Sequence, residues 1–193
     1  LHDIGEPLHI TEYGFRVKRF PNCGSAHRAM DLLLALIQEH AFTADDVETI
    51  DVHAPKSHLD NLFYHEPGNG LEAKFSMEYA IACLLETGYC GLADFTAEAV
   101  ARQDLRAHFG KLRLHPVDEL ESACPTRVIV NLRDGRRLEQ AAGMPRGSLE
   151  SPFTLAEYWA KFDACVRGVL TPAQAGSLKQ ALEAFRESVP ARR

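Results

Sequence analysis

The tightest constraint on this chain is an Asp-Gly step, Asp134-Gly135, set between two strand-like runs at 127–132 and 137–142. Asp-Gly in that setting specifies a β-hairpin. A lone hairpin is not stable, so further strands and a covering layer must exist. Residues 47–54 supply a strand: Ile50, Val52 and Ala54 alternate with polar neighbours, and Thr43-Ala44-Asp45-Asp46 turns the chain into it. Residues 111–115 read as another strand, ended by Pro116. Two helices form the cover. In the first, Ala26, Met30, Leu33 and Ile37 recur at helical spacing up to about His40, with Ser25 as the expected N-cap. In the second, Ser76 caps a helix reaching Thr87 with an apolar face of Tyr79, Ala80, Cys83 and Leu84, and Gly88 stands where a left-handed residue is wanted. A short helix is expected at 58–64, a loop at 65–70, and one or two short helices between Asp94 and Phe109. The fold class is therefore α+β, two main helices on a small antiparallel sheet over residues 10–142, after a lead-in at 1–9.

Residues 143–152 hold two prolines and two glycines and read as a linker. Beyond it, Thr154-Leu155-Ala156-Glu157 is a capping box and Thr171-Pro172 places proline at a first helical position. Both helices carry apolar stripes (Leu155, Tyr158, Trp159, Phe162; Leu178, Leu182, Phe185), yet two helices make too little core to stand alone. They are expected to dock on the α+β unit or on something outside this chain. The chain begins with Leu1 and lacks a signal peptide, and is read as a processed or excised piece. Five cysteines, none in a CxxC pair, argue against a zinc site or disulfide framework and for a reducing cytoplasm. A net charge of −6 argues against nucleic acid. No apolar run approaches the roughly 18–20 residues that span a bilayer.

Against that acidic background, the window between Tyr13 and Met30 holds four permanent cations (Arg16, Lys18, Arg19, Arg28), one histidine, and no acid. Such a cluster suits a small anion better than a polyanion, which the wider field would repel. Gly24-Ser25-Ala26 opens a helix, so backbone N–H groups and the positive end of the dipole face outward there. A carboxylate placed on that turn would be within reach of Lys18 or Arg19. His27 lies in the first turn with Asp31 four residues on, where a carboxylate can orient an imidazole. Cys23, just before the helix, lies in the same field. A Lys-Arg pair beside a turn is ordinarily a solvated surface, and such a cysteine ordinarily a small buried hydrophobe. Spacing alone leaves both readings open. His53, His58 and His65 lack metal-ligand spacing, and nucleotide-binding, nucleophile-elbow and HExxH motifs are absent.

Four segments of the chain resemble the MmgE/PrpD family. Lys18-Arg19-Phe20-Pro21-Asn22-Cys23 with His27 is similar to its K-x-[YF]-P-x-C-x-x-x-H segment, and residues 73–82, AKFSMEYAIA, to its A-K-F-S-x-x-Y-x-x-A helix start. Gly143-Met144-Pro145 followed by Lys161-Phe162 resembles its return segment, and Asp134-Gly135 its hairpin. The family includes 2-methylcitrate dehydratase, cis-aconitate decarboxylase and iminodisuccinate epimerase. The resemblance implies the C-terminal part of a longer enzyme: a lid at 10–142, then helices at 143–193 returning to an N-terminal helical domain. It implies a small polycarboxylate substrate, no metal or organic cofactor, a homodimer, and lyase chemistry, dehydration first, with decarboxylation or epimerisation as alternatives. On this reading His27 and Tyr79 are catalytic, and Lys18, Arg19, Cys23 and Ser25 bind substrate. The remaining acid/base residues would lie outside this chain, and the isolated chain would be inactive. The rival is a non-catalytic α+β module that binds an anion or a partner helix.

Overall fold

The computed structural model describes residues 8, 10, 14–118 and 124–188. Apart from Leu8, the expected lead-in at 1–9 lies outside the described residues. The chain divides into two units, 1–152 and 153–193.

The first unit is α+β. Strands β1 (Val47–Pro55), β2 (Leu112–Val117), β3 (Thr126–Leu132) and β4 (Arg137–Ala142) form one sheet in the order β2-β1-β3-β4. The β1–β3–β4 part is antiparallel, as expected, and Asn131 pairs with Arg137 across the Asp134-Gly135 turn, where Gly135 has φ +89°. The fully antiparallel expectation needs one correction: β2 lies parallel to β1, Ile50 opposite Leu112 through Pro55 opposite Val117. Residues 56–111 are a helical crossover, which returns β2 in the direction of β1. Pro116 also sits inside β2 rather than ending it. β2 is a sheet edge, where a missing N–H need not break a ladder.

Helix α1 (His27–His40) packs on β3, β4 and α4 (Met77–Thr87). Its buried Met30, Leu33 and Leu36 meet the inner sheet face of Val47, Ile50, Val52, Val128, Val130 and Leu132. The period of β1 breaks at a bulge between Val47 and Thr49, which keeps Val47 and Ile50 on one face. Between β1 and α4 run the one-turn helices α2 (Lys56–Asp60) and α3 (Gly70–Ala73); α5 (Ala97–Val100) and α6 (Gln103–Arg106) follow α4. Ser76 caps α4 as read, its Oγ accepting from Tyr79 N at 3.1 Å, and Gly88 ends it at φ +67°.

The second unit comprises α7 (Leu155–Val166) and α8 (Pro172–Ser188). Thr154 and Glu157 form the expected capping box, and Lys179 Nζ stands 4.6 Å from the Trp159 ring centre. Leu155, Tyr158, Leu178 and Leu182 are exposed. Among the described residues no helix is long and apolar enough to cross a membrane.

Candidate functional site

Three separate segments line a half-open cavity of about 360 Å³ in the first unit. One wall is the cationic window: Arg16, Val17 and Lys18, then Gly24, Ser25, His27 and Arg28 at the head of α1. The second is His58 of α2 with Asn61 just beyond it, and the third is Pro145 to Ser148. Four arginine or lysine residues and two histidines therefore line one space, Arg146 lining a second cavity as well, and the first cavity's lining among the described residues contains no carboxylate.

The first wall is shaped by Pro21 and Gly24. Cys23 is extended (φ −62°, ψ 130°), and the chain then winds through a 3₁₀ turn, Gly24–Ala26, into α1. Ser25 lies inside that turn, so it is not the N-cap expected; its Oγ instead accepts a hydrogen bond from Asn61 Nδ2 at 3.1 Å. That bond ties the second wall to the first. Val17 N, donating to Gly147 O at 2.9 Å, ties on the third.

Burial grades the cations. Arg16 and Lys18 are exposed, and Lys18 Nζ donates to Asn22 O at 3.2 Å. Arg28 and His27 are only 4% and 2% exposed. Arg28 Nη1 donates to Cys124 O at 3.3 Å, and the His27 ring meets Phe20 edge-on at 5.4 Å. The site thus runs from a wet cationic rim to a drier end holding an arginine and two histidines, where charge is screened less.

Of the residues expected from sequence, Lys18, Ser25 and His27 come together here. Arg19 does not: its Nη1 pairs with Asp31 Oδ1 at 3.0 Å, beside a second cavity of about 220 Å³. The other Asp31 oxygen, Oδ2, accepts from Arg146 N at 2.9 Å. Burial pushes the Asp31 carboxyl above its ordinary pKa, and the Arg146 N–H and Arg19 counteract this only in part. Cys23 is not in the lining; it packs against the core, and its backbone N donates to Lys74 O. Tyr79 is also absent from the lining: it is 0% exposed and its hydroxyl donates to Asp94 O. A side chain so placed cannot reach a ligand in this cavity without the core opening.

His58, Asn61, Arg146 and Ser148 were missed. His58 follows the end of β1 by three residues, and Arg146 follows Gly143-Met144-Pro145, so both lay beside segments already marked. Nothing local to either says that the chain folds back to α1. Among the described residues, no group of three or more His, Cys, Asp or Glu is placed to hold a metal ion.

A family model described as the MmgE/PrpD C-terminal domain matches residues 20–187. The matched span takes in His27, His58 and Arg146, and starts just past Lys18 and Arg19. No curated protein gives a match.

Proposed function

The chain belongs to the MmgE/PrpD family, as its C-terminal domain, and on that premise we propose that it is the lid portion of a lyase acting on a small polycarboxylate. The observation that carries this reading is the cavity itself: Arg16, Lys18, Arg28 and Arg146 around one space with His27 and His58, and no acid in its described lining. A ligand with two or three carboxylates matches several cations around one space better than a monoanion does.

Dehydration of a 2-methylcitrate-like hydroxy acid is the preferred reaction. A base removes the proton beside a carboxylate, the C–H electron pair becomes the new C=C bond, and the hydroxyl leaves with a proton as water. Negative charge builds on the adjoining carboxylate as the proton departs, and fixed cations stabilise it. Lys18 and Arg146 would hold carboxylates, Arg28 would strengthen the field at the dry end, and His27 would carry or stabilise the moving proton. Decarboxylation and epimerisation build the same charge and remain alternatives within the family. The other acid/base groups would come from an N-terminal helical domain, in a homodimer. Lys18 and His27 placed far from any cleft would have favoured a non-catalytic module that binds a partner helix. Both line one cavity, which supports the enzyme reading.

Calorimetric titration of the chain with citrate and with acetate tests the ligand class. Citrate should bind at least tenfold more tightly, weaken with added salt, and weaken again in Lys18→Ala. Equal affinity for citrate and acetate would refute the polycarboxylate assignment.

A further inference from the structure

Residues 143–152 contribute Arg146 and Ser148 to the cavity yet contain no helix or strand of their own. Their shape comes from hydrogen bonds: Gly147 N to Ser151 O at 2.8 Å, Ser151 N to Ser148 Oγ at 3.1 Å, and Arg146 Nη1 to Ser151 Oγ at 3.2 Å. Besides the Val17 N–H on Gly147 O, a bond to α1 itself holds them. Arg146 N donates to Asp31 Oδ2 at 2.9 Å, across 115 residues of sequence.

Asp31 is an expensive way to make that bond. Its side chain is 10% exposed, and burial penalises the carboxylate more than its partners relieve it. Arg19 completes the arrangement from the opposite side, at Oδ1. Asp31 itself is outside the cationic cavity's lining, so it does not touch a ligand held there.

Resting on the polycarboxylate reading above, we propose that Asp31 is a positioning residue: it holds the Arg146 backbone against α1 and so sets where Arg146 stands in the lining of the cationic cavity. The N–H bond does this, while the Arg19 ion pair compensates the buried charge. The two jobs are separable. Asp31→Asn keeps an acceptor for Arg146 N but drops the charge; Arg19→Ala drops the ion pair and keeps the acceptor; Asp31→Ala loses both.

Two measurements on the full chain decide it: citrate titration, and ligand-free amide hydrogen exchange across 143–152. In Asp31→Ala, citrate affinity should fall about tenfold, the size expected for one mispositioned charge contact. Exchange in 143–152 should rise at least tenfold while that of 27–40 stays at the wild-type rate. Asp31→Asn and Arg19→Ala should stay within about threefold of wild type in both. Should Asp31→Ala fail to fold, Asp31→Ser, too short to reach Arg146 N, supplies the same contrast. Unchanged exchange in 143–152, or wild-type affinity in Asp31→Ala, overturns the proposal, as does an Arg19→Ala loss equal to that of Asp31→Ala. Failure of the wild-type chain to bind citrate overturns the ligand assignment instead, and the exchange data still decide whether Asp31 holds the Arg146 segment.

Discussion

Replacing Tyr79 with Phe removes one hydroxyl from the first turn of α4 and separates a structural role from a substrate role. The ring is 0% exposed and lies 5.8 Å from Phe95, a contact that Phe retains. What is lost is the hydrogen bond to Asp94 O, which holds the 3₁₀ turn Leu92–Phe95 against the helix. A net hydrogen bond is worth about 1 kcal/mol, and the carbonyl left behind is only partly buried, so the total cost is about 1–2 kcal/mol. For a unit of this size each kcal/mol shifts Tm by roughly 2–4 °C, giving a fall of roughly 2–8 °C by circular dichroism. Citrate affinity should stay within about twofold, because the hydroxyl does not reach the cavity. Alkaline pH offers an independent readout. Burial pushes the Tyr79 phenol above its ordinary value of 10.0, so its contribution to stability is complete below pH 10 and is lost as pH rises through the raised value. Tyr79→Phe should remove that part of the alkaline loss. An unchanged Tm together with a tenfold loss of citrate affinity would refute the reasoning and return Tyr79 to the substrate.

Three further outcomes follow from the structure. Ser76→Ala deletes the cap that accepts from Tyr79 N and should cost about 1 kcal/mol with citrate binding intact, measured by urea unfolding. His53 stacks on His115 at 4.4 Å, and burial, then the charge of His115, depresses its pKa below 6.5. Its contribution is therefore complete above pH 6.5 and lost as pH falls through the depressed value, so His53→Gln should flatten the acid side of a Tm-against-pH curve. The chain alone should turn over neither 2-methylcitrate nor cis-aconitate in a spectrophotometric assay, because the proposal places part of the acid/base machinery in another domain.

The helices and the hairpin were legible because their determinants are local. Ser76 and Gly88 bracket α4, Thr154 and Glu157 cap α7, and Asp134-Gly135 turns β3 into β4, each within a few residues of what it controls. The cationic window was legible for the same reason, since Lys18 and His27 are nine positions apart around a turn that Pro21 and Gly24 dictate. Pairing across the sheet was not: whether β2 runs parallel or antiparallel to β1 depends on how 56–111 crosses over, and no short segment records that.

Asp31 marks the boundary between the two kinds of information. Helical periodicity correctly put it four residues from His27 in α1, and stopped there. Its partners, Arg19 from the cationic window and Arg146 from 115 residues away, were chosen by packing. The sequence by itself determined the elements, their caps and a concentration of positive charge. Only the tertiary structure decided which cation pairs with a buried carboxylate and which line a cavity. A side chain's reach is a few ångströms, and the groups within that reach are set by the fold, not by their distance along the chain.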